Sequence, residues 1–139
     1  MKVNIYILTN IRGPRVCSGR GMYLMESIID GRPYTVNEIL ELEKTTNNEL
    51  TLMLLIKALE RMRKNAEISI FTECEHVSTA AEKWVKQWEE NGWKNKKGKY
   101  VKNIDLWQQF LELVKPHNYS MSQEKNHSYS QWMRAELKK

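Results

Sequence analysis

WVKQWEENGWKNKKGKYVKNIDLW, residues 84–107, holds four of the chain's five tryptophans, together with six lysines, two glutamates and one aspartate. Indole rings favour burial and ammonium groups favour water. Interleaving them suits a projecting element with an aromatic base and a cationic fringe. Such a surface carries the electrostatic footprint of a groove that holds a phosphate backbone. By charge alone, a solvated lysine loop that serves solubility satisfies the same pattern.

Bulk properties narrow the choice. The chain has 139 residues, enough for a single domain, 1–139, around one core. Apolar residues make up 41% and charged residues 28%, an ordinary composition for a water-soluble protein. No run approaches the ~18 apolar residues of a membrane span, so no membrane partner is expected. The first ten residues, MKVNIYILTN, read as a strand rather than a leader, which predicts a cytoplasmic protein. Cys17 and Cys74 lie far apart and match no metal spacing, so both are expected as free thiols. The net charge of +5 is mild, but residues 84–103 carry six lysines and two glutamates, a local net of +4.

Pattern supplies the element order. Residues 3–9 read as a buried strand, and IRGPRVCSGRG breaks the pattern with glycine and proline. Residues 22–29 and 33–40 read as a hairpin turning at Asp30-Gly31. A helix follows over 45–65, with an apolar stripe at Leu52, Leu55, Ile56 and Leu59. Thr46 and Glu49 fit a capping box at its start. Then come a strand at 67–72, helices over 76–92 and 103–114, a strand over 117–124 and a helix over 130–139. The fourth strand follows a helical crossover, so it should lie parallel to the first. The expected fold class is α/β: a five-stranded mixed sheet, three strands antiparallel and then two parallel, with helices on its faces.

Three segments carry a resemblance. W-x3-W-x4-W-K, a lysine cluster and V-K-N-x-D-L-W in residues 84–107 resemble the basic handle of type 1 ribonuclease H, which cuts RNA in RNA/DNA hybrids. TTNN, 45–48, resembles the entry to that family's first helix. FTECEHV, 71–77, resembles its strand-end segment, which usually reads T-D-S-x-x-V. The resemblance implies a ribonuclease-H-like fold with a handle over about 84–103. It also implies phosphate contacts from Lys94, Lys96, Lys97, Lys99 and Lys102, and strand contacts from Thr46, Asn47 and Asn48. Trp84, Trp88 and Trp93 would form the aromatic base of the handle, and core packing is the competing role for Trp84, Trp88 and Trp107.

The resemblance further implies four carboxylates holding two divalent metals, because hard dications need clustered anionic oxygens. Here the first of the four positions falls on Asn10 and the second on Thr51. Glu49 lies two residues before Thr51, roughly 200° around a helix. The third falls on Glu73, the metal ligand if there is any. The fourth falls on Arg134, Ala135 or Glu136, of which only Glu136 would serve. The family's loop histidine would correspond to His127, which as a lone loop residue reads as solvent-facing. The catalytic set therefore reduces to the vestigial positions Glu73, Glu136 and Asn10.

Three functions remain. The first is a binding module that grips RNA/DNA hybrid or a similar duplex, needs no cofactor and cuts poorly or not at all. The second is a metal-dependent ribonuclease H working with Mg²⁺ or Mn²⁺ on a non-standard ligand set, with Glu49 swinging in. The third is a scaffold for a protein partner.

Overall fold

The run from Val3 to Leu8 is buried on both faces, because the strand that carries it lies in the middle of the sheet. A computed structural model describes residues 1–139. In it β1 (Lys2–Thr9) pairs antiparallel with β2 (Cys17–Ile29), and β2 pairs antiparallel with β3 (Arg32–Thr45). On its other side β1 pairs parallel with β4 (Glu67–Thr72), and β4 with β5 (Asn118–Gln123). The sheet order is β3-β2-β1-β4-β5, three antiparallel strands then two parallel, as the element order predicts.

The β2/β3 hairpin is longer than its pattern suggests. SGRG, expected as a break, is part of β2. Glycine is needed there for space rather than for a turn. A Cβ on Gly21 would stand 2.6 Å from Leu54 Cδ1, and one on Gly19 would stand 2.4 Å from Ile11 Cδ1. These two bare positions let the first helix lie flush on β2.

That helix is α1 (Asn47–Leu59), shorter at its C-terminal end than expected. Thr46 is its N-cap and accepts the Glu49 amide at 3.1 Å. Only half of the capping box forms, since the Glu49 carboxylate accepts from Thr45 Oγ1 at 2.6 Å instead. Burial also exceeds the expected stripe, adding Leu50, Leu54 and Ala58 to Leu52, Leu55, Ile56 and Leu59. The reason is placement: α1 is wedged between β1 and β2 on one side and α4 (Ile104–Val114) on the other.

The helix expected over 76–92 is three pieces. α2 (Glu75–Thr79) runs into a π-helical turn (Ala80–Trp84) and then α3 (Val85–Glu90). The main core lies on the α1 face of the sheet. A smaller cluster on the opposite face packs Tyr6, Leu8, Met22 and Leu24 against Met133 and Leu137 of α5 (Ser130–Leu137).

Candidate functional site

The parallel strands β1 and β4 end side by side, with Ile7 opposite Thr72. Carboxyl ends of parallel strands are where open α/β sheets place their sites. Here they open, with the start of α1, onto a cavity of about 320 Å³. Thr9, Asn47, Thr51, Thr72, Glu73, Arg12 and Lys125 are among its lining residues. Thr9 Oγ1 donates to Asn47 Oδ1 at 2.6 Å, tying the end of β1 to the first turn of α1. On the β4 side, Thr72 Oγ1 accepts the Cys74 amide at 3.0 Å, and Cys74 Sγ donates to Asn48 Oδ1 at 3.1 Å. Burial pushes the Cys74 thiol up from its ordinary pKa, which suits a packed, unreactive thiol.

Glu73 is the carboxylate at the centre of this arrangement, and both of its oxygens are taken by guanidiniums. Arg12 Nη1 stands 3.2 Å from Oε2, and Arg134 Nη2 stands 3.1 Å from Oε1. Arg134 Nη2 also donates to the Lys125 carbonyl. The Glu73 side chain is only 19% exposed, so its charge is answered by protein cations more than by water.

The other candidate ligands lie elsewhere. Asn10 does not turn into the cavity; its Oδ1 accepts the Arg20 amide at 2.9 Å, extending the β1/β2 ladder by one residue. Glu136 does not face Glu73 either. It pairs with Lys139 Nζ at 2.9 Å, and the helix register brings Arg134 to Glu73 in its place. Glu49, held by Thr45, lines a separate hollow beside Ile104 and Asp105 of α4, so no swing into the site is built. Thr51 does line the cavity, as its place in the sequence predicts. No group of three or more His, Cys, Asp or Glu side chains is placed to hold a metal ion.

His127 is half-buried rather than solvent-facing. Its ring stacks on Tyr6 at 4.2 Å between centroids, and its Nδ1 accepts the Tyr129 amide at 3.2 Å. Burial, then the Arg134 charge, pull its pKa below the ordinary histidine value, against the opposing pull of Glu124 and Glu73. The neighbouring Tyr129 hydroxyl donates to Glu26, which pushes the tyrosine up to about 12.

A second cavity adjoins the first. It shares Gly13, Asn47, Glu73, Cys74 and Glu75 with it, and adds Thr46, Asn48, His76 and Lys102. Lys102 is the foot of the lysine-rich projection, which is a small hairpin. Lys94 bridges Tyr100 in antiparallel fashion, and Asn95 Oδ1 accepts the amides of Lys97 (2.9 Å) and Lys99 (3.1 Å). Gly98, at φ +79°, makes the turn. The tip lysines Lys96, Lys97 and Lys99 are exposed, while Lys94 Nζ lies 5.1 Å from the Tyr100 ring centroid. At its base Trp84, Trp88 and Trp107 form a chain of rings 6.0 and 5.9 Å apart. Trp107 is in the core, Trp88 and Trp93 are half-buried, and Trp84 is 38% exposed. Core packing is therefore the role of Trp107, and Trp84 is left on the surface.

The RNase H family profile matches residues 14–132. The chain belongs to the RNase H family. It is 34% identical over 128 residues to a ribonuclease H of Legionella pneumophila (strain Lens), covering 92% of this chain and 86% of that one. A ribonuclease H of Ruthia magnifica subsp. Calyptogena magnifica is 37% identical over 128 residues, covering 91% and 84%. Among solved structures, LC9-RNase H1, described as a type 1 RNase H with the type 2 active-site motif, superposes with a TM-score of 0.76 at 21% identity. That match covers 96% of this chain and 68% of the other. The foamy viral protease-reverse transcriptase in complex with RNA/DNA hybrid superposes at a TM-score of 0.73 and 15% identity, over 97% of this chain and 19% of that one. These two likenesses establish the RNase H fold.

Two divalent metals, which the RNase H resemblance implies, do not fit the residues present here. Two carboxylates line the cavity, Glu73 and Glu75, and both oxygens of Glu73 already face guanidiniums. Beside Glu75, the rest of the polar lining is neutral hydroxyls, the side-chain amides of Asn47 and Gln123, the buried Cys74 thiol and cations. Such a set leaves two dications without the anionic oxygens they need.

Arg12, Arg134 and Lys125 are the site residues that sequence reasoning missed. Arg134 carried a weak signal, being one of three candidate registers, yet a cation is no metal ligand. Arg12 and Lys125 sit in loops, and nothing local marks them.

Proposed function

We propose that this RNase H family protein grips RNA/DNA hybrid, or another duplex of similar shape, and cleaves it weakly or not at all. The observation that carries this reading is the pair of guanidiniums on Glu73. A water nucleophile and a leaving oxygen need metal ions to stabilise them, and here the one central carboxylate is committed to protein cations. Binding is supported separately by the exposed lysines of the handle and by Lys102, which shares a cavity with Thr46, Asn47 and Asn48. Those residues suit recognition of backbone and shape rather than of base sequence.

A second reading is a metal-dependent ribonuclease H with a non-standard ligand set. The ribonuclease H names of relatives at 34% and 37% identity favour it. Fluorescence anisotropy of an end-labelled hybrid, followed over time in Mg²⁺ and again in Mn²⁺, separates the two. The first reading expects a stable rise that weakens with salt. A rise followed by decay, abolished by Glu73→Gln, would establish the enzyme. No rise at any salt concentration would leave the fold as a scaffold for a protein partner.

A further inference from the structure

We propose that the Arg12–Arg134 pair is itself a phosphate site, one that takes a backbone phosphodiester without any metal ion. The inference rests on the binding reading above and names the contact it makes at the centre of the cleft. Glu73 holds one guanidinium on each of its oxygens, which brings two planar cations to a single carboxylate. Arg12 spends one N–H on Glu73, and Arg134 spends those of Nη2 on Glu73 and the Lys125 carbonyl. A guanidinium carries five N–H donors, so most of them remain for an incoming anion.

Charge and shape agree with that assignment. Arg12 and Lys125 line the cavity with Glu73 and Glu75, and Arg134 reaches Glu73 from α5, so the five groups together carry an excess of one positive charge. The cavity of about 320 Å³ is several times the volume of a phosphate group. Its remaining wall, where Thr9, Asn47 and Thr51 stand beside Ile7, Ile11 and Cys74, is uncharged, so it neither repels an anion nor attracts a dication. Arginine suits this role because its fork matches two oxygens of a tetrahedral anion. Glu73 then acts as a positioning residue: it aims the two guanidiniums and cancels enough charge for them to lie close together. The site also adjoins the cavity of Lys102 and Thr46–Asn48, so one backbone would run from the handle to the arginines without crossing a gap.

The test uses the intact chain in EDTA with two probes. Inorganic phosphate is titrated while the side-chain Nε–H resonances of Arg12 and Arg134 are followed by NMR. A labelled RNA/DNA hybrid is titrated at several salt concentrations, in EDTA and in Mg²⁺ at matched ionic strength. Saturable shifts of both arginine signals are expected, with hybrid affinity equal within about twofold with and without Mg²⁺. In Arg12→Ala/Arg134→Ala the salt slope should fall by about one unit, the share of one neutralised phosphate. The single variant Arg12→Ala, whose side chain is 77% exposed, keeps the test available should the double variant fold poorly. Unmoved arginine signals together with an unchanged salt slope would overturn the site while leaving hybrid binding through the handle intact. Arginine shifts with phosphate but no hybrid binding would sink the duplex reading and leave the anion site standing. Hybrid binding that requires Mg²⁺ would overturn the proposal outright.

Discussion

At the residue scale, Arg134 decides the character of the cleft. A carboxylate in its place would add negative charge beside Glu73; the guanidinium offsets the charge already there. The effect reaches His127 as well, since the Arg134 charge helps to hold that imidazole neutral. Removing the charge in Arg134→Ala should move the His127 pKa upward, toward its ordinary ~6.5. An NMR titration of the His127 ring proton checks this, and an unmoved midpoint would contradict the geometry around Glu73. His76, His117 and His127 all titrate below their unfolded value, chiefly because burial disfavours their charged form. Their contribution is fully present above ~6.5 and is lost as pH falls through the folded pKa values. The denaturation midpoint should therefore drop below about pH 6.5, and Arg134→Ala should soften the part due to His127. Glu73 was legible in sequence because its strand-end context survives. Its guanidinium partners were not, because they lie 61 residues away on either side and no local pattern links them.

At the element scale, α1 carries the site. Asn47 lines both cavities, and Thr46 and Asn48 line the second, because α1 begins where β1 and β4 end, and α1 lies there because β2 is bare beneath it. Gly21→Val would place its Cβ alone 2.6 Å from Leu54 Cδ1 and 3.2 Å from both Leu50 Cδ2 and the Leu8 carbonyl oxygen. It should cost roughly 1–3 kcal/mol of stability, the usual range for overpacking, read from a denaturant midpoint. The same push should loosen the Thr9–Asn47 bond at the cleft. Glycine reads in a sequence as a break, and here that reading hid five residues of β2. The error has a physical source: a missing Cβ serves a close helix approach as well as it serves a turn. The π-helical turn before Trp84 was equally hidden, since one extra residue in a helical turn leaves composition and approximate period unchanged.

Across the whole molecule, the proposed duplex route would start at the exposed lysines of the handle, pass Lys102 at its foot and reach Arg12 through the two adjoining cavities. If a duplex follows that route, each lysine that meets a phosphate should add about 0.9 to the salt slope. Lys96→Ala/Lys97→Ala should therefore reduce the slope by one to two units, on the order of one per phosphate contact. Both side chains are exposed at the hairpin tip, so the melting temperature should hold. Anisotropy at graded salt together with a thermal melt reads both quantities, and an unchanged slope would remove the handle from the binding surface.

Element order, sheet topology and the handle were settled by the sequence itself. They rest on short-range signals: apolar period, turn residues, a lysine cluster set among tryptophans. That Asn10 and Thr51 bring no charge was also legible, because a side chain's formal charge is independent of its surroundings. What surrounds Glu73 belonged to the tertiary structure alone. Whether Arg134 or Glu136 meets that carboxylate depends on the rotation of α5, which its packing of Met133 and Leu137 against the sheet decides. Arg12 arrives from a loop whose path is set by Ile11 packing into the core. A guanidinium finds a carboxylate through space, and only the folded chain brings these three groups within reach of one another.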